Sequence, residues 1–262
     1  MSYIKGAVEK LGHNIVVNLY ELGKFTSFGL RFFYWTFRRP FRVRNIFSQF
    51  VFIGNKSLFI ICLSGAFTGM VMAYQTYFGF KLINVDTLVG PIVSITLAKE
   101  LGPVLTGLIV AGRAGAAMAA QIGSMKVTEQ IDALEVMGIN GIQYLATPRV
   151  ISSCFALPIL TAIFQFVGNV GSYFIGTKVL NIDEGIYFSK LSEFMYIEDM
   201  WQGLIKAFFF GFLISLIGTY FGFQVKRGAE GVGRGTNKAV VWGMINVLVW
   251  DYFLTSYLIK IL

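Results

Sequence analysis

Residues 57–80 read SLFIICLSGAFTGMVMAYQTYFGF and contain no charged side chain. This stretch is longer than the roughly 20 apolar residues that a helix needs to cross the hydrocarbon core of a bilayer. Four further stretches have nearly the same character: 87–112, 150–177, 207–225 and 239–259. The sequence therefore predicts an all-α integral membrane protein with about five transmembrane helices.

The composition agrees with this class and excludes several activities. The 262 residues are 55% hydrophobic and 16% aromatic, and the mean hydropathy is +0.66, which is typical of polytopic membrane proteins. One His and two separated Cys cannot form a usual zinc site, and no GxxxxGK[ST] phosphate loop occurs. We therefore predict no metal site, no catalytic residue and no cofactor, and an energy source on another subunit if transport is active.

Basic residues predict the orientation. Residues 1–50 carry eight Lys and Arg against two Glu, and loop 226–238 carries four against one Glu. Segment 178–206 carries three Lys against five acids. Because basic loops stay on the cytoplasmic side, we expect the N-terminus, segment 113–149 and loop 226–238 in the cytoplasm. Segment 178–206 and the C-terminus then face outward.

The first 50 residues are expected to lie at the membrane surface before a transmembrane domain over 51–262. Residues 4–22 place apolar side chains every three or four positions, which predicts an interfacial amphipathic helix. Residues 31–44 mix Arg with aromatic side chains, and this favours anchoring at lipid headgroups over nucleic-acid binding. No apolar core with a small-residue cleavage site follows the start, so we expect no cleaved signal peptide.

Residues 87–123 are too long for one straight span and too short for two. One long helix, bent at Pro91 and Pro103, is the favoured interpretation, and a re-entrant break at Gly102-Pro103 is the alternative. Small residues at helix-packing spacing also occur: Gly65 and Gly69, then Gly112 and Ala116. Such pairs let helices approach closely, either within one chain or between two subunits.

Residues 124–149 form the main polar insertion on the predicted cytoplasmic side. A short helix over 128–138 is expected, with Thr128 as its cap and Gly138 just past its end. Its apolar face carries Ile131 and Leu134, and its acidic face carries Glu129, Asp132 and Glu135. From the residues alone, this helix is either a solvated loop or a docking surface for a cytoplasmic partner.

The charges within the spans are the candidate functional residues, because such charges are rare and costly. Lys99, Glu100 and Lys206 are either a structural ion-pair set or the lining of a cavity for an anionic lipid headgroup. Lys99 and Glu100 point about 100° apart on a helix, so at least one needs a partner on another helix. Arg113 is nearer the cytoplasmic end, and we expect it to extend to the headgroups.

Three sequence blocks resemble the signature of the MlaE-type permeases, the membrane subunits of ABC transporters that work with MCE-domain lipid-binding proteins. The blocks are KELGPVLT (99–106), VAGRAGAA (110–117) and EQIDALEVMG (129–138). They occur in the order and spacing of the family, and the similarity in size and span layout covers nearly the whole chain. The Asp-Pro that usually follows the last block is replaced by Asn140-Gly141.

The resemblance implies a homodimeric permease in the bacterial cell inner membrane or the related chloroplast envelope. It implies a cytoplasmic ATPase, with ATP and Mg, that docks on residues 128–138, a periplasmic MCE-domain partner, and phospholipid or a similar lipid as cargo. An ion- or proton-driven secondary transporter is the alternative, although the spans show no convincing inverted repeat. A lipid-modifying enzyme would need a nucleophile, base or metal set that the sequence lacks.

Overall fold

The computed structural model describes residues 2–38, 42–226 and 228–260, and within these ranges it contains helices and no strands. There are eight helical elements in these ranges: α1 Ser2–Thr36, α2 Val43–Lys81, α3 Asp86–Val127, α4 Gln130–Val136, α5 Ile142–Val179, α6 Glu184–Phe194, α7 Ile197–Phe223 and α8 Ala229–Leu258. The all-α class is confirmed.

Five of these helices, α2, α3, α5, α7 and α8, are long and apolar enough to cross a membrane. Each covers all or nearly all of one predicted span and begins before it, because polar residues ahead of an apolar stretch extend the same helix; α7 ends at Phe223, two residues before the predicted end of its span, and α8 at Leu258, one residue before. α2 begins at Val43, so the expected boundary between residues 50 and 51 falls inside a helix. Lys206, expected at the start of a span, lies well within α7.

α3 is one continuous helix of 42 residues, about 63 Å long at the usual rise per residue. It contains two wider π-helical turns, Leu97–Leu101 and Ala111–Gly115. In the first, the N–H of Gly102 donates to the carbonyl of Leu97, five residues back, directly before Pro103. The chain thus passes the proline without the re-entrant break, because the wider turn accommodates a residue that lacks an N–H.

α5 and α7 form the centre of the bundle, and α2 and α8 lie at its periphery. In the most apolar part of each span, 67% of the α7 residues are buried but only 17% of those in α8. Gly65 and Gly69 bring α2 against α5: a Cβ on Gly65 would lie 2.8 Å from the carbonyl oxygen of Phe164, and one on Gly69 would overlap that of Gly168. These two glycines therefore pack helices within one chain.

Gly112 and Ala116 lie on α3, where it passes α8. A Cβ on Gly112 would lie 3.2 Å from Cε of Met244. This glycine also faces a helix of its own chain, so the small side chain lets α8 lie close to α3.

The outer helix α6 covers the ends of α3 and α5. Its N-terminus is capped by Asp183, which accepts from the N–H of Ile186, and Tyr187 is buried with its hydroxyl 3.2 Å from Ser172 Oγ. Burial raises the pKa of Tyr187. A Cβ on Gly90 would lie 2.7 Å from the Tyr187 ring, so the glycine makes room for this contact.

The second half of α1 packs against the bundle rather than lying free on a membrane. Phe28 and Phe32 are buried, and the Phe28 ring contacts the Tyr220 ring edge-on at 5.6 Å between centroids. Phe32 is thus a core residue, not the lipid anchor that the sequence suggested, whereas Phe33 and Tyr34 are exposed. The side chains of residues 2–15, including His13, lie outside those described, so the interfacial amphipathic face stays a prediction.

Candidate functional site: charged side chains inside the bundle

A cluster of four polar side chains joins three spans in the bundle interior. We call it the charge cluster: Glu100 on α3, Lys206 on α7, and Asp251 and Thr255 on α8. Lys206 Nζ lies 2.6 Å from Glu100 Oε2, 2.6 Å from Thr255 Oγ1 and 3.1 Å from Asp251 Oδ1. Its side chain is only 1% exposed. The ammonium group therefore holds α3, α7 and α8 together through three oxygen atoms.

The cluster contains one cation and two carboxylates. With all three groups ionised its net charge is +1 − 2 = −1, and Lys206 is enclosed by its partners. The Glu100 side chain is 38% exposed and that of Asp251 21% exposed. The group that a ligand would meet first is thus the carboxylate of Glu100, not the ammonium of Lys206.

The charge cluster is nearer the end of the bundle that carries α6. Glu100 lies 14 residues from Asp86, about 21 Å along α3, and Asp251 lies 7 residues from Leu258, about 10 Å along α8. These depths place the cluster within the apolar part of the helices, where an unpaired charge costs roughly 2.5–3.5 kcal/mol on insertion scales. Pairing therefore accounts for the proximity of these side chains.

Lys99 points away from the charge cluster and forms a second ion pair. Its Nζ lies 2.7 Å from Oδ1 of Asp199, which is buried in the first turn of α7. Asp199 Oδ2 also accepts from the backbone N–H of Tyr196 at 3.0 Å, which caps the start of α7. The two adjacent residues thus bind different partners, as expected from the rotation between neighbours on a helix.

The π-helical turn that carries Lys99 and Glu100 is fixed from α5. Nε2 of Gln165 donates to the carbonyl of Ala98 at 2.9 Å, and this glutamine is buried. Gly203 on α7 lies against the same carbonyl, which a Cβ would overlap. The turn is therefore held between two helices, and so are the directions of the two charged side chains.

Sequence reasoning did not find two of the ion-pair partners, Asp251 and Asp199, or the hydrogen-bond partner Thr255. The signal for Asp251 was present, because it is the only charge in residues 239–259 and Thr255 follows one helical turn later. Asp199 was counted with the outer segment, since nothing in the sequence showed that α7 begins as early as Ile197. Proximity across helices was the missing information.

Arg113 does not extend to headgroups as the sequence suggested. It lies in the second π-helical turn of α3, and its Nη1 donates to Ser57 Oγ at 2.7 Å and to the carbonyl of Ile53 at 3.3 Å. Its guanidinium also lies 5.4 Å from the centre of the Phe52 ring. The arginine therefore fastens α3 to α2, because backbone and hydroxyl oxygens of α2 take the place of a carboxylate.

The helix expected over 128–138 is present as the shorter α4. Gly138 follows its end with φ +74°, as expected of a C-terminal glycine. The expected cap was wrong: Thr128 Oγ1 donates back to the carbonyl of Ser124 at 3.0 Å, and Glu129 with φ +58° precedes the first turn. The threonine thus ends α3 instead of starting α4.

The two faces of α4 have different surroundings. Ile131 is 5% exposed and packs with Ile122 and Leu145, and Leu134 is half-buried beside them. These two residues hold α4 to the bundle and are not available to a partner. The α4 surface is formed by the α4 acids, Glu129, Asp132 and Glu135, together with Val136 and Met137, which are 89% and 65% exposed.

The ends of α3 and α7 are joined beside α4. The ammonium of Lys126, in the last turn of α3, donates to the backbone carbonyl of Phe223, the last residue of α7. Phe223 also packs against the buried face of α4. Contact on the α4 surface would therefore act directly on α3 and α7, the two helices that carry Glu100 and Lys206.

Among the described residues no group of three or more His, Cys, Asp or Glu side chains is placed to hold a metal ion. Cys62 and Cys154 are free cysteines.

Comparison with known proteins gives the family. Residues 46–257 match the model of the family described as Permease MlaE. A probable ABC transporter permease protein of Rickettsia bellii is 40% identical over 92% of this chain and 93% of its own length. The intermembrane phospholipid transport system permease protein MlaE of Haemophilus influenzae is 35% identical over 78% of each chain. The chloroplastic protein TRIGALACTOSYLDIACYLGLYCEROL 1 of Arabidopsis thaliana is 36% identical over 82% of this chain and 61% of its own length. The chain therefore belongs to the MlaE family of permeases.

Proposed function

We propose that this protein is the membrane-spanning subunit of an ABC transporter that moves phospholipid or a similar lipid. In this proposal a separate cytoplasmic ATPase supplies the energy, and a periplasmic MCE-domain protein exchanges lipid on the outer side. The name of the Haemophilus influenzae relative supports the phospholipid cargo. The observation that carries the proposal is the half-exposed carboxylate of Glu100, held inside the spans by the buried ammonium of Lys206.

The charge balance favours one mode of headgroup contact. A phosphate that approached the charge cluster would meet Glu100 before Lys206, and like charges repel in a medium of low dielectric constant. A headgroup that carries an amino group would instead donate to the Glu100 carboxylate. We therefore revise the expected anionic headgroup and propose that the amino end of a zwitterionic headgroup contacts Glu100.

Two copies of the chain are proposed to enclose this position. α8 is the least buried of the five spans, and it carries Asp251 and Thr255 of the charge cluster. A second copy against this side of the bundle would shield Glu100 from the acyl chains of the surrounding membrane. Each copy would then contribute one charge cluster to a shared lipid cavity.

The ATPase is proposed to dock on the α4 surface. Its acids and its two exposed apolar side chains fit a partner that offers basic residues around an apolar pocket. Because α4 adjoins the fastened ends of α3 and α7, movement of the ATPase would be transmitted to the helices of the charge cluster. In this orientation the N-terminus and α4 are cytoplasmic, and α6 and the C-terminus are periplasmic.

The test is lipid transfer in a reconstituted system. The permease would be placed in liposomes with its ATPase and MCE partner, and transfer of a labelled phospholipid would be measured with ATP, without ATP and with an imposed proton gradient. We expect transfer that requires both ATP and the ATPase. Transfer by the permease alone, driven by the gradient, would contradict the proposal and favour a secondary transporter.

A further inference from the structure

A cavity lined by both basic and apolar side chains lies at the opposite end of the bundle from the charge cluster. Its volume is about 550 Å³, within the range of sites for small ligands. It is formed between α1, the start of α5 and the end of α7, and it is lined mainly by Leu19, Tyr20, Lys24, Phe28, Arg31 and Gln224. None of these residues belongs to the charge cluster or to the α4 surface.

The cavity presents two cations and no acid. Lys24 and Arg31 are seven residues apart on α1, so they lie on the same face about 10 Å apart along the axis. Within the described part of the chain neither forms an ion pair, and Glu21, on the same helix, is not part of the lining. The Lys24 ammonium lies 4.2 Å from the centre of the Tyr20 ring. Two uncompensated cations facing one cavity favour an anionic ligand.

The remainder of the lining is apolar, and this favours a lipid over a soluble anion as the ligand. Leu19 is 62% exposed, Phe28 is at the floor of the cavity, and Ile142 lines it from α5. A ligand with a phosphate at one end and a glycerol and acyl part at the other would satisfy both halves of this surface.

We propose that this cavity binds the headgroup of an anionic phospholipid from the leaflet at the α4 end of the bundle. The phosphate lies between Lys24 and Arg31, and the glycerol region lies against Leu19 and Phe28. This lipid is a resident component and not the cargo, because its site and the charge cluster lie at opposite ends of the bundle.

The bound lipid would add a link among three elements that already meet through apolar packing and, between α1 and α5, through a 3.4 Å hydrogen bond between the hydroxyls of Thr36 and Thr147. Lys24 and Arg31 are on α1, Ile142 begins α5, and Gln224 directly follows Phe223, which packs on the buried face of α4. Occupancy therefore fixes α1 beside the chain that supports the docking surface. Binding of this lipid requires neither transport nor an ATPase; only the statement that the lipid is not the cargo rests on the proposed function.

The test measures bound lipid on the purified full-length chain by native mass spectrometry. Phosphatidylglycerol, phosphatidylcholine and inorganic phosphate would be titrated against the wild type and the variant K24A/R31A. A basic residue near an anionic headgroup contributes about 1 kcal/mol, so the loss of two predicts about thirty-fold weaker binding of phosphatidylglycerol. The variant K24R/R31K, which keeps both charges, should bind like the wild type.

The matched control is K56A/K238A, which removes two exposed basic residues, one on α2 and one on α8, that do not line the cavity. It should bind phosphatidylglycerol like the wild type. The proposal would be overturned by equal losses in K24A/R31A and the control, or by phosphatidylcholine binding as tightly as phosphatidylglycerol. Displacement of the lipid by millimolar inorganic phosphate would also overturn it, because the site would then recognise a soluble anion.

Discussion

Replacing Lys206 should destabilise this protein far more than replacing either of its acidic partners. The variant K206M removes the only cation of the charge cluster and leaves Glu100 and Asp251 facing each other without compensation. Lys206 is 1% exposed, and breaking a buried ion pair in this way costs about 3–5 kcal/mol. For a chain of this size the melting temperature should fall by on the order of 10 °C.

The two single acid variants should be much milder. In E100Q the remaining charges, Lys206 and Asp251, balance each other, and in D251N Lys206 and Glu100 balance. Because Lys206 keeps Asp251 as a partner in E100Q and Glu100 as a partner in D251N, neither variant leaves its buried ammonium unpaired, and each should cost less than K206M. The double variant K206M/E100Q still leaves Asp251 alone, so it should recover only part of the stability. The triple variant K206M/E100Q/D251N carries no charge and should recover most of it.

Thermal unfolding of each variant in the same detergent or nanodisc ranks the variants by stability. The reconstituted transfer assay measures the rate at which each variant transfers lipid. E100Q should fold normally and transfer lipid slowly, because the headgroup has lost its carboxylate contact. E193Q is the control, since Glu193 is an exposed acid paired with Lys190 at 2.8 Å on α6. Unfolding of E100Q at a temperature as low as that of K206M would refute this balance of charges. Normal transfer by a stable E100Q would leave the charge cluster with a structural role alone.

Three further predictions concern packing, docking and topology. G69V should destabilise the chain by about 1–3 kcal/mol in thermal unfolding, because its side chain would overlap the α5 backbone. G79A is the control and should be neutral or stabilising, because the space around Gly79 is open. Equal effects of the two variants would contradict the α2–α5 contact. Lysines at all three α4 acids should leave membrane insertion intact and reduce co-purification of the ATPase at least ten-fold, and full retention would make α4 only a solvated turn. A cysteine at exposed Ser192 should react with an impermeant thiol reagent added outside intact cells, whereas one at exposed Gly233 should not. The reverse labelling pattern would contradict the proposed orientation in the membrane.

The spans and the short helix α4 could be predicted from the sequence, because both depend on local patterns. Long apolar stretches with few or no charges identified the five spanning helices, and Gly138 correctly identified the end of α4. The partners of the intramembrane charges could not be predicted in the same way. Glu100 and Asp251 are separated by 151 positions, and no periodicity indicates that both lie beside Lys206.

Competing local contacts explain the wrong predictions for Thr128 and Arg113. Thr128 fits a helix N-cap by type, but its hydroxyl found the carbonyl of Ser124 in the preceding turn, a bond that Ser and Thr commonly make. Arg113 could reach headgroups by length, but Ser57 and the α2 backbone lie closer. The π-helical turns of α3 have no sequence signature, since they result from contacts such as that between Gln165 and Ala98.

The π-helical turns give α3 a capacity for torsion that a uniform helix lacks. Each holds one residue more than an α-helical turn would, and that residue corresponds to about 100° of rotation and 1.5 Å of rise. Tightening the turn at Leu97–Leu101 would twist the part of α3 towards α4 against the part towards α6 by that angle. Glu100 lies within this turn, so a rotation at the end of a helix segment about 40 Å long would redirect a carboxylate deep in the membrane with an axial shift of only about 1.5 Å.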